Sequence, residues 1–139
     1  MSHNHPEGIK GAQATASAIF LARTGKTKEE IKIYITDKFG YNLERKYVDI
    51  KPDYKFDVTC QGSVPESIIC FLESTDYVSA IRLAVSMGGD ADTMGAIAGS
   101  IAAAFYEEIP EAILEKCENK LTDDIKEVVR EFKEYCHNK

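Results

Sequence analysis

Ser86-Met87-Gly88-Gly89-Asp90-Ala91-Asp92-Thr93-Met94-Gly95-Ala96-Ile97-Ala98-Gly99 combines a glycine pair, two carboxylates spaced i and i+2, a hydroxyl and a run of small apolar residues. Two glycines permit a sharp turn and a close approach of backbone to a ligand. The run after Thr93 reads as a closely packed helix. Asp90 is placed to cap that helix, accepting from an orphan backbone N–H where the helix dipole favours negative charge. Because a cap residue lies outside the regular helix, Asp90, Asp92 and the Thr93 hydroxyl are able to converge on one point. Oxygen donors without Cys or His suit magnesium, manganese or calcium rather than zinc. The same pattern fits equally a doubly capped, buried helix that holds no metal.

Working outward, small residues cover nearly every face from Gly95 to Ala104, which predicts a helix from Asp90 to about Tyr106 at the centre of a bundle. Ahead of it, Asp76 caps a helix that runs to Gly88, with Val78, Ile81, Leu83 and Val85 inward. Ser63-Val64-Pro65-Glu66 reads as a helix start, with the proline near its first position and Ile68, Ile69, Phe71 and Leu72 on its buried side. Residues 41 to 62 carry no clear period and predict a long loop, with a short extended piece at Lys55 to Thr59. Further back, Thr27 and Gly40 bound a helix whose Ile31, Ile35 and Phe39 face inward. Pro6 opens another, running to about Arg23, with Ile9, Ala12, Ala16, Ile19 and Phe20 near one face. Beyond the central helix, Pro110 begins a short one to about Asn119, and Thr122-Asp123-Asp124 caps a last amphipathic one. Seven helices and almost no strand predict an all-α protein, an orthogonal bundle, and 139 residues predict a single domain.

A net charge of −6 with no basic cluster argues against nucleic acid as the main partner. Cys60, Cys70, Cys117 and Cys136 form no C-x-x-C pair and suit reduced thiols. With no signal segment and no membrane-spanning stretch, the expectation is a cytoplasmic protein. Cys60 is expected to flank a pocket without acting as a nucleophile, and Glu66 and Glu73 to be solvated charges on a helix surface.

Three segments together carry a resemblance. Gly88-Gly89-Asp90-Ala91-Asp92-Thr93 with Ala96-Ile97-Ala98-Gly99, Ser63-Val64-Pro65 leading into Cys70-Phe71-Leu72-Glu73, and His3 followed by Gly8 and Gly11-Ala12 resemble segments of the ADP-ribosylglycohydrolase family, and their order along the chain is the family's. The resemblance implies an all-α fold that binds two magnesium ions between two groups of ligands. Asp90, Asp92 and Thr93 would be the carboxy-terminal group. His3, Val58, Gly62, Ser63 and Gly89 would line the pocket for ADP-ribose or an ADP-ribosylated substrate; the resemblance assigns no catalytic residue. The family's amino-terminal half carries a Thr-Asp-Asp motif and an early acidic residue, and Met1 stands just ahead of the histidine segment. The expectation is therefore a carboxy-terminal half that hydrolyses an ADP-ribosyl N- or O-glycosidic bond only when a missing amino-terminal half completes it. Thr122-Asp123-Asp124 is the nearest match to the absent motif, but its place as a helix cap makes it structural.

The alternative is a catalytically silent protein, either binding ADP-ribose or serving a structural role like the family's lens crystallins. Apolar stripes on the helices at residues 6 to 23 and 64 to 86 predict that the chain forms a homo-oligomer or binds its complementing half.

Overall fold

In the computed structural model, residues 4–137 are described. The chain divides into two compact units, Met1–Glu108 and Ile109–Lys139. The first unit holds α1 (Pro6–Arg23), α2 (Lys28–Phe39), α3 (Tyr47–Ile50), α4 (Cys60–Glu73), α5 (Tyr77–Ser86) and α6 (Ala91–Tyr106), and the second holds α7 (Glu111–Glu118) and α8 (Asp123–His137). That makes eight helices and no strand among the described residues, an all-α architecture.

Local chemistry explains most of the helix ends. Asp76 accepts from the Ser79 N–H and starts α5, while Gly40 ends α2 at φ 68°, a left-handed value that glycine takes without strain. Thr27 and Glu30 form a reciprocal capping box at the start of α2. The Lys26 ammonium, and then the Thr27 backbone and hydroxyl, hold the Glu30 carboxyl down at about 2. With its folded pKa depressed below the ordinary 4.5, Glu30 contributes its full stabilisation above pH 4.5 and loses it as the pH falls toward about 2. Thermal unfolding midpoints are therefore expected to stay level above pH 4.5 and to drop below it, with a shallower drop in Glu30→Gln. An equal slope in both proteins would show that the box is not held in solution.

In the first unit α6 packs against α1, α4 and α5. Met94, Ala98, Gly99, Ile101 and Ala102 are its buried residues. Gly99 allows close approach, because a Cβ there would lie 2.6 Å from Ile81 Cδ1 on α5. Phe71 sits fully buried at the centre, edge-on to Phe105 at 5.4 Å. Lys28 donates to the carbonyls of Leu72 and Ser74 at the end of α4, with its ammonium 5.1 Å from the centre of the Phe71 ring. A cation thus meets the orphan carbonyls at the negative end of a helix dipole.

Several expectations are corrected. The inward face of α1 is Gly11, Ala14, Ala18 and Ala22, whereas Ile9 and Phe20 are exposed. The reason is proximity: a Cβ on Gly11 would stand 3.1 Å from Val64 Cγ2, so small residues face α4. In α5 the fully buried residues are likewise Ala80 and Ala84, and Val85 is exposed. Residues 55–58 form no strand, and α4 begins at Cys60 rather than near Ser63. Thr59 is its N-cap, accepting from the Gly62 N–H at 3.1 Å, so Pro65 lies inside the helix. The loop also contains α3, held from a distance by the Tyr47 N–H donating to Glu73 Oε1 at 2.8 Å and by a 2.6 Å hydrogen bond between the hydroxyls of Tyr47 and Ser86. Glu66 is buried, not solvated, and accepts from Arg45 Nη1 at 2.7 Å.

The apolar side of α4 is covered within this unit: Val64, Ile68, Ile69 and Phe71 belong to its main core. Of the two predicted stripes, Ile9 and Phe20 on α1 and Val85 on α5 remain exposed. In the second unit, α8 carries Ile125, Val128, Val129, Phe132 and Tyr135 on an amphipathic helix, and Lys133 pairs with Glu118 of α7 at 3.8 Å. Both partners are solvent-exposed, so the pair contributes little. No helix among the described residues is long and apolar enough to cross a membrane.

Candidate functional site

Within the first unit, three segments far apart in sequence meet along one open groove of about 440 Å³. One side is α1, with Gly8, Gly11, Ala12, Thr15, Ala16 and Ile19. The other is Val58 with Cys60, Ser63 and Val64 at the start of α4, and Asp90, Thr93 and Ile97 of the α6 region complete it. The lining is mostly apolar, and Asp90 is its carboxylate.

The turn that delivers Asp90 depends on Gly88, whose φ of 95° disfavours any side chain. Asp90 is the N-cap residue of α6, yet its side chain makes no capping hydrogen bond to the helix start. It accepts instead from the Thr93 hydroxyl, at 2.9 Å. This corrects the expected capping role and leaves the carboxylate beside a hydroxyl on the groove. Asp92 is exposed in the first turn and does not line the groove.

The other anticipated residues divide into two kinds. Val58 is an exposed wall, and Ser63 is a buried one whose hydroxyl donates to the Thr59 carbonyl at 2.7 Å. Gly62 and Gly89 are not lining residues; they are glycine because other side chains occupy the space a Cβ would need. On Gly62 that Cβ would fall 2.0 Å from Asp57 Oδ2, and on Gly89 it would fall 2.5 Å from Tyr54 Cε1 and 2.9 Å from Met94 Sδ. His3 lies outside the described residues.

Tyr54 and Asp57 support the site and were not singled out in the sequence, because both lie in the stretch without a period. Asp57 accepts from the Thr59 N–H at 2.7 Å, and this bond, with the Thr59 hydroxyl, holds its carboxyl below the usual range. An aspartate two residues before a threonine cap was the one local signal available.

For a hard cation, the donors Asp90, Asp92 and Thr93 have the right chemistry, being oxygen only. Their number is short: no group of three or more His, Cys, Asp or Glu among the described residues is arranged to hold a metal ion. Asp90 and Thr93 stand side by side on the groove, and Asp92 stands outside it.

Fold and groove define an all-α protein whose cleft sets hard oxygen donors against an apolar floor. The family model for ADP-ribosylglycohydrolase matches residues 1–139, and the chain belongs to that family. The protein named ADP-ribosylhydrolase ARH3 in Bos taurus is 33% identical over 104 residues, covering 63% of this chain and 28% of that protein. Its Homo sapiens namesake is 36% identical over 76 residues, covering 45% of this chain and 21% of that protein. These matches therefore take in between a fifth and a third of the relatives' length. No solved structure matches it significantly.

Proposed function

We propose that this chain forms one side of the cleft of a magnesium-dependent ADP-ribosyl hydrolase. The observation that supports this reading is the meeting of Asp90 and Thr93 with Val58, Ser63 and the Gly8–Ala12 segment in one groove. An apolar floor beside a carboxylate and a hydroxyl suits a ligand with a flat base at one end and sugar hydroxyls at the other.

Asp90, Asp92 and Thr93 would hold magnesium, which supplies orientation of ribose hydroxyls and water and offsets the charge that develops as the glycosidic bond breaks. The residues of this chain bind and orient. Ile19, Val58 and Ile97 exclude water from the apolar part of the ligand, and Gly8, with open space beside it, lets the ligand approach the α1 backbone. The reaction adds water at the ribose anomeric carbon and returns the proton to the departing side-chain atom. The remaining ligands would come from a complementing amino-terminal half.

The test is calorimetric titration of the full chain with ADP-ribose, with and without magnesium. Saturable binding that magnesium tightens is expected. Binding that is indifferent to magnesium would remove the metal from the reading, and no binding at all would remove the ADP-ribose site.

A further inference from the structure

We infer that Tyr54 is a positioning residue, a strut that sets the spacing between the groove wall at Ser63 and the groove end at Asp90. It lies between α3 and α4 and does not itself line the groove. Its hydroxyl donates to the carbonyl of Gly62, the residue before Ser63, at 2.7 Å. Its ring occupies the space beside Gly89, the residue before Asp90, so closely that a Cβ on that glycine would lie 2.5 Å from Cε1. The same ring packs on the cluster of buried residues that includes Met87 and Met94, on either side of that turn. One side chain therefore touches the backbone immediately behind both parts of the groove.

The chemistry suits a fixed strut. Helices α4 and α6 pack against each other, and the groove lies at their amino-terminal ends, whose spacing the strut sets. An aromatic ring has few rotamers, and filling the space beside a glycine leaves it little room to move. Burial pushes the Tyr54 hydroxyl up to about 12, so it stays protonated and keeps donating to Gly62 across any working pH. A displacement of either wall by a fraction of an ångström would be felt most by an interaction that needs Asp90 and the ligand in one place at once.

The effect on binding rests on the ADP-ribose reading above, whereas the strut itself does not. Tyr54→Phe in the full chain keeps the ring and removes the donor. The factor by which magnesium tightens ADP-ribose binding is expected to fall about tenfold, while magnesium-free affinity changes less than about twofold. A merely structural tyrosine would lower both equally or neither, and that result would overturn the inference. Hydrogen exchange on the free chain reads the strut without any ligand. Amides at residues 60–63 and 88–93 are expected to exchange about tenfold faster together in the variant. Faster exchange confined to residues 60–63, or in neither segment, would overturn the strut even if wild type fails to bind ADP-ribose.

Discussion

Asp90→Ala is expected to leave the stability of the metal-free chain nearly unchanged and to abolish the stabilisation that magnesium confers. A working N-cap lost to alanine costs about 1 kcal/mol. Asp90 makes no capping hydrogen bond, only the contact with the Thr93 hydroxyl, so its removal should cost less than that. Magnesium at a hundred times its dissociation constant would stabilise the wild type by about 2.7 kcal/mol, a rise of roughly ten degrees or more for a unit of this size. The variant should show none of that rise. Thermal scans of both proteins across a magnesium series measure it directly. If the variant is already about 1 kcal/mol weaker without metal, and magnesium moves neither protein, Asp90 is a helix cap and nothing more.

Phe71→Ala is expected to cost the first unit about 3–5 kcal/mol, the range for truncating a fully buried aromatic residue. The cost has three sources. The ring leaves a cavity among α4, α6 and the start of α2, its edge contact with Phe105 is lost, and the Lys28 ammonium loses the face it lies over. Because domains of this size are stable by only about 5–15 kcal/mol, the variant should unfold at a much lower denaturant concentration. Phe71→Leu, which refills part of the volume, should recover about half of the loss. Urea titration followed by circular dichroism decides this, and a cost below about 1 kcal/mol would mean that the ring is not the centre of the core.

Much of the fold was legible in short-range chemistry. Thr27, Asp76, Gly40 and Gly88 mark helix ends through bonds and backbone angles that involve only residues within four positions, and the sequence displays those directly. The faces of α1 and α5 were not legible, because a hydrophobic stripe drawn through Ile9, Phe20 and Val85 weights large residues. The actual contacts select alanine and glycine, for helices whose backbones approach closely. The loop between α2 and α4 was unreadable for a related reason. Tyr47 is held by Glu73 and Ser86, and Tyr54 by Gly62 and Gly89, and no local pattern encodes partners that distant.

By itself the sequence determined the all-α class, the position of most helices and the oxygen chemistry that Asp90, Asp92 and Thr93 bring to the start of α6. Those follow from propensity, capping and donor chemistry, which act within a turn or two of the chain. Tertiary structure alone decided that Asp90 and Thr93 share a groove with Val58, Ser63 and Gly11 while Asp92, Gly62 and Gly89 stand outside it. It also decided that the Asp90 carboxylate is not engaged in capping α6. Which residues converge depends on how closely α1, α4 and α6 pack, and that distance is set by side-chain volumes at contacts between segments separated by tens of residues.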